Sequence, residues 1–422
     1  MIRTVGRGEI LAAVADEAPA IEHLLIDLVQ APTLLGEERA GQQVMRAAFK
    51  DLGLEPRDVP LDAELLRTSP GASPFSWSVD GKTNVVATWG PSRPDAGRSL
   101  ILNGHIDVVS PGPTDMWSSP PFVARRDGDW LYGRGAGDMK AGLAAIVGAV
   151  RGLRRLGLVP LAPVELQSVV EEECTGNGAL QCVLSGRPAD AVIITEPTSL
   201  TIQTSQVGVV WFQVILRGRP AHAGDAPIGR NAIETTFPVI SALRGLEAEL
   251  NAAPPPPYDV YEHPINLNVG MIRGGDWPST VAAESILHCR LALYPDTSVD
   301  ELRTRIEGAV AGALAGLDGF QARVEYDGFA CAGYTLEDDS PLVSALSSAS
   351  EPAIGRQPAR IASTATTDAR FFGLYAGSPA VCFGPHAEGI HGVDERVSMA
   401  SVLQTAQTLA LFITDWCGVE RE

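Results

Sequence analysis

Apolar positions recur at near-helical spacing from the start of the chain. Ile10, Val14, Ile21, Leu24, Leu25 and Leu28 predict helix, with a break near Pro19. Val44, Met45, Ala48, Phe49 and Leu52 form a second helical stripe, stopped by Gly53. Short continuous apolar runs then appear between turn residues: Val85 to Trp89, Leu100 to Leu102, Val164 to Val170 and Ala191 to Ile194. A helix, Ala141 to Leu156, lies between the second and third runs and is ended by Gly157. Strands that are apolar along their whole length are buried on both faces. The pattern therefore predicts an α/β fold, a mixed and largely parallel sheet with helices on both faces.

The texture changes after Gln206. Val207 to Leu216 reads as a long strand, Asn231 to Leu250 as a helix kinked at Pro238, and Pro254 to Pro257 as a loop. Ile265 to Met271 and Ile286 to Leu293 read as strands, Val299 to Leu314 as a helix and Ala322 to Tyr326 as a strand. Strand, helix, strand, strand, helix, strand is the split βαβ order of a small α+β sandwich. From about Ser340 the α/β texture returns, closing with a helix from Met399 to Asp415. The expected organisation is one α/β domain, residues 1–205 and 329–422, interrupted by an α+β insert at 206–328. A chain of 422 residues has room for both.

Composition narrows the function classes. Apolar residues at 45% and charged residues at 20% exclude global disorder and a coiled coil. A net charge of −19 argues against a partner made of nucleic acid or an anionic membrane. The N-terminus carries Arg3 and Arg7 but has no apolar core before Glu9, so it does not read as a signal peptide. No apolar run approaches the length of a membrane span. The six cysteines are scattered and form no C-x-x-C pair, which predicts free buried thiols and a cytoplasmic protein.

Candidate chemistry gathers at strand ends. His105 follows the run Leu100 to Leu102 in NGHIDVV, and Asp107 stands where it could orient the imidazole. Asp138 lies in YGRGAGDMKAG just before the Ala141 helix; its bland reading is a helix N-terminal carboxylate. Neither G-x-G-x-x-G nor G-K-[ST] occurs there, and an aspartate would repel phosphate. Glu171, Glu172 and Glu173 end the run Val164 to Val170. They are either a solvated acidic strand end or carboxylates whose repulsion a cation relieves. Glu196 again follows a buried-looking strand, in IITEPTS. Nitrogen and oxygen ligands without sulfur suit zinc, cobalt or manganese. One more histidine belongs to a late Gly-rich loop, GPHAEGIHGVDERVS, but spacing does not choose between His386 and His391.

These motifs, with GRPAHAG in the insert, resemble the dizinc metallopeptidases that include acetylornithine deacetylase, succinyl-diaminopimelate desuccinylase, aminoacylase and glutamate carboxypeptidase. The resemblance runs from about Asn84 to Val397, in the family's order. It implies a catalytic domain with an inserted dimerisation or lid domain. It also implies two zinc ions per subunit, for which Co(2+) or Mn(2+) can substitute. His105 and Glu196 match ligands of one ion, Glu173 and His391 ligands of the other, and Asp138 the carboxylate bridging both. Asp107 matches the residue that orients His105, and Glu172 the general base, with Glu171 in the position usually held by Asp. His222 matches a histidine that the insert contributes across a dimer interface, although a lone histidine in such a turn is ordinarily a surface residue.

Arg290 matches a lid arginine that grips substrate carboxylate; a core-strand arginine paired to an acid is the competing reading. Thr366, Asp368 and Arg370, in ATTDARFF, match a substrate-facing turn; a plain helix N-terminus competes. Where many relatives carry Asn-x-x-Pro, this chain has DWPSTVAAE, Asp276 to Glu284. The resemblance thus implies a homodimeric amidohydrolase acting on a small N-acyl amino acid or short peptide. The ending GIHGVDERV favours an N-deacylase over a carboxypeptidase or dipeptidase. A non-catalytic binding protein on the same scaffold is a third reading, opposed by the intact Glu172 beside a full ligand set. No G-x-S-x-G occurs to support a serine hydrolase.

Overall fold

The continuous apolar runs form the middle of a nine-stranded sheet. The computed structural model describes residues 5–91 and 96–422, so Arg3 lies outside the described residues. The strands of this sheet that precede the insert are β1 (Arg57–Pro60), β2 (Thr83–Trp89), β3 (Leu100–His105), β4 (Val164–Val169), β5 (Ala191–Ile194) and β6 (Ile202–Gln206). A second sheet holds β7 (Gly208–Arg217), β8 (Leu267–Gly274), β9 (Glu284–Leu293), β10 (Gln321–Glu325) and β11 (Ala330–Cys331). The chain then returns to the first sheet with β12 (Tyr334–Thr335), β13 (Arg360–Ser363) and β14 (Ala380–Cys382).

The large sheet runs β1-β2-β4-β3-β5-β14-β6-β12, with β13 also on β6. Its centre, β4-β3-β5-β14, is parallel, while β1, β2, β6 and β12 make antiparallel pairs at the flanks. Every residue of β3 and β5 is buried, as strands covered on both faces must be. Because β4, β3 and β5 are parallel, their carboxyl ends lie at one edge, where sheets of this class bind ligands.

The second sheet is antiparallel throughout, ordered β8-β9-β7-β10 with β11 beside β7. Helices Thr236–Leu250 and Val299–Leu314 pack on each other, and their buried residues share a core with β7 and β9. This is the split βαβ arrangement the pattern predicts. The helix expected from Asn231 begins instead at Thr236. Pro238 therefore sits in the first turn, where its missing N–H costs nothing, and it does not kink a helix interior. The break expected near Pro19 comes earlier, between Ala15 and Ala18, for the same reason. The strand expected from Ile265 starts at Leu267 and runs on to Gly274. All six cysteines are unpaired and buried. Among the described residues no helix is long and apolar enough to cross a membrane.

Candidate metal centre

β3 ends on His105, and the chain beyond β4 and β5 supplies Glu172, Glu173 and Glu196. A turn before helix Ala141–Arg155 brings Asp138, and the late loop brings His391. Asp138 lies between the two histidines: Oδ1 is 3.1 Å from His105 Nε2 and Oδ2 is 3.3 Å from His391 Nε2. His391 Nε2 is also 3.1 Å from Glu173. His105 Nε2 is 3.9 Å from both Glu172 and Glu196. The five ligands expected from the sequence thus converge, and His386 goes elsewhere, bonding Ser199.

The tautomer of His105 is set by its other nitrogen. Nδ1 faces the backbone carbonyl of Asp107 at 2.9 Å, which can only accept. Nδ1 therefore carries the proton, and the Nε2 lone pair faces Asp138. Two lone pairs at that separation repel unless a proton or a cation stands between them. The wider group has the same imbalance. Four carboxylates meet two imidazoles, and negative charge stays in excess even with both rings protonated.

The titration behaviour follows. Burial pushes Glu172 and Glu196 well above the usual carboxylate range; His105 opposes this, and neighbouring carboxylates reinforce it. Burial also raises Asp138, but the pull of His105 and His391, when protonated, outweighs that and holds it below the usual range. Burial lowers His391, yet Asp138 and Glu173 overcome it and push the ring up to about 11. A divalent cation removes the conflict, and the donor set of imidazole nitrogen and carboxylate oxygen fits zinc-like ions.

Asp107 contacts the site through both its carbonyl and its carboxylate. Its carbonyl orients His105, while its carboxylate accepts from the backbone N–H of Glu172 at 3.2 Å and of Glu173 at 3.0 Å. It therefore positions both glutamates. Glu171 turns the chain at the end of β4 with φ 64, a conformation costing a non-glycine residue about 1–2 kcal/mol. Its carboxylate is fully engaged: Oε1 accepts from Lys82 at 2.7 Å and Trp77 at 2.8 Å, and Oε2 from Thr175 at 2.9 Å. Glu172 Oε1, by contrast, is buried without a partner.

Glu395 went unnoticed in the sequence. It is wholly buried and accepts from the backbone N–H groups of Gly135 at 3.0 Å and of Gly137 and Asp138 at 2.9 Å each. The guanidinium of Arg134 completes its shell. One carboxylate thus shapes the whole turn that aims Asp138. Its presence in GVDERV, four residues after His391, was the available signal. Replacing Glu395 by Gln is expected to weaken metal binding about 10–100-fold, as loss of a ligand-orienting partner does. Chelator competition on folded protein measures it; unchanged affinity refutes the role.

Other expected residues are dispersed. Thr366 and Arg290 line a cavity of about 560 Å³ that also touches Glu172, Glu173 and His391. Asp368 is buried, with neither oxygen hydrogen-bonded, and burial pushes it up to about 7. Arg370 is buried and is not among the cavity's lining residues, though it donates to Thr366 at 3.3 Å. Its guanidinium donates to the carbonyls of Thr367 and Thr175 and lies over Phe371. His222 is exposed on the loop after β7, accepts from Gly224 N–H at 3.0 Å, and is not among the cavity's lining residues.

A model of peptidase family M20/M25/M40 matches residues 101–415. The chain belongs to that family. N-formyl-4-amino-5-aminomethyl-2-methylpyrimidine deformylase of Halalkalibacterium halodurans is 30% identical over 380 residues, covering 83% of this chain and 87% of the relative. Succinyl-diaminopimelate desuccinylase of Maricaulis maris is 28% identical over 390 residues, covering 89% and 90%. The fold is similar to a solved di-peptidase of Saccharomyces cerevisiae, with a TM-score of 0.82 at 13% identity over 98% of both chains.

Proposed function

We propose that this M20 hydrolase holds two zinc ions, replaceable by cobalt or manganese, and removes the acyl group from an N-acylated amino acid or related amine. The observation that carries the reading is Asp138, whose two oxygens each face a different histidine at 3.1 and 3.3 Å. His105 and Glu196 complete one site, and Glu173 and His391 the other. Bound divalent ions supply Lewis acidity and make water acidic enough to ionise near neutral pH.

The protein's own groups do the rest. Glu172, with one free buried oxygen, takes the proton from attacking water and returns it to the leaving nitrogen. Asp107 keeps Glu172 and Glu173 in place. Arg290 has no acid partner among the described residues and takes a substrate carboxylate, with Thr366 on the cavity wall beside it. The named activities of the two sequence relatives support deacylation over peptide cleavage.

The protein acts as a homodimer joined through its inserts. Support comes from β8, an edge strand carrying exposed Met271 and Ile272, with exposed Phe237 and Trp277 on the same insert. Six unpaired cysteines support a cytoplasmic setting.

Elemental analysis of metal-loaded protein is expected to find close to two equivalents per chain. Chelation should abolish hydrolysis of N-acetyl, N-formyl and N-succinyl amino acids, and zinc or cobalt should restore it. Full activity at a tight stoichiometry of one would remove the bridging role of Asp138.

A further inference from the structure

Three aromatic residues line the cavity beside the candidate metal centre. Trp77 comes from the loop before β2, Trp211 from β7 and Phe329 from the segment after β10. Each ring is held by a neighbour. The indole N–H of Trp77 donates to Glu171 at 2.8 Å, so this wall is tied to the residue preceding Glu172. Trp211 and Phe329 pack edge to face, with centroids 5.3 Å apart at 82°. Gly328 has φ 89, and a Cβ there would lie 2.4 Å from the Trp211 ring. The indole therefore rests directly against backbone that only glycine can provide.

Phe329 is buried in a small cluster with Val209 and Cys331 against which Trp211 packs, and Trp77 packs on the main core, yet all three also line the cavity. The buried core of the insert lies on the helix side of its sheet, through Val210, Phe212 and Val214. Trp211 and Gln213 alternate with those residues and so point to the opposite face, toward the cavity. On that face the register sets Asn268, Arg290 and Trp211 in one row, each opposite the next on adjacent strands. A half-buried guanidinium without an acid partner thus stands beside an aromatic corner, and both share a cavity with Glu172.

We propose that this corner is a subsite for an aromatic side chain, so that the substrate is an N-acylated aromatic amino acid. Its carboxylate meets Arg290, its ring enters between Trp211, Phe329 and Trp77, and its amide lies at the metal centre. The inference rests on the deacylase reading for the reaction but not for the subsite. Edge-to-face and offset contacts reward a third ring in such a corner, and a small aliphatic side chain leaves it unfilled.

Two measurements on the metal-loaded protein test it. In hydrolysis, kcat/KM for N-acetyl-phenylalanine is expected to exceed that for N-acetyl-alanine at least about tenfold, and Trp211→Leu should erase most of the difference. In calorimetry, free phenylalanine should bind at least about tenfold more tightly than alanine, with the preference again lost in Trp211→Leu or Phe329→Leu. Aromatic-selective binding without hydrolysis of any N-acyl amino acid supports the subsite and defeats the deacylase reading. Equal binding of phenylalanine and alanine, or a preference that survives both variants in folded protein, overturns the subsite.

Discussion

Glu172→Gln is expected to keep both metal ions and lose about 10²–10⁴-fold in kcat, the usual contribution of a positioned general base. The amide keeps the size of the side chain and cannot shuttle a proton. Glu173→Gln should differ by weakening metal binding as well, because His391 Nε2 lies 3.1 Å from its carboxylate. The neighbour on the other side discriminates further. Glu171 has no free oxygen, being bound by Lys82, Trp77 and Thr175. Breaking its buried pair with Lys82 should cost stability, about 3–5 kcal/mol for a fully lost partner. Molecules that still fold should turn over nearly normally. Metal content, thermal melting and steady-state rates on the three variants separate these outcomes. A large loss of turnover in folded Glu171→Gln with a mild effect in Glu172→Gln would shift the base by one residue.

That one-residue question shows what a sequence can carry. The strands were legible because burial on both faces leaves unbroken apolar runs, as in Leu100 to Leu102 and Ala191 to Ile194. The residues that gather at the candidate centre were legible because acids and a histidine after such runs have no propensity-based reason to be there. What stayed hidden depends on partners distant in the chain. Glu395 contacts Gly135, Gly137 and Asp138, and Lys82 contacts Glu171, and neither pairing leaves a periodic trace. Asp107 was expected to orient His105, but which of its atoms does so was not legible, and the local turn offers the carbonyl. That choice is conformational and not compositional. Arg370 reads equally as part of a substrate-facing turn or of a plain helix N-terminus, and its bonds to the carbonyls of Thr367 and Thr175 are again to partners that no spacing announces.

His222→Ala is expected to reduce kcat about 10²–10³-fold, the loss typical of one oxyanion donor, without changing metal content. The physical difficulty is that His222 is exposed and lines no part of the cavity in its own chain. The proposed homodimer would resolve it. The insert exposes an edge strand, β8, and apolar side chains for a twofold-related copy to pair on, and in the proposed dimer each insert would reach toward the other subunit's centre. The two single variants then complement each other. Mixing His222→Ala with Glu172→Gln subunits creates dimers in which one site has both a wild-type Glu172 and a wild-type His222 from the neighbour. Each such mixed dimer should regain about half of a wild-type dimer's activity, because one of its two sites is whole. Subunit exchange must be verified by mass, since unexchanged homodimers stay inactive whatever the geometry. Verified exchange with no recovered activity would mean that His222 does not act in trans. A His222→Ala chain as active as wild type would remove it from the reaction.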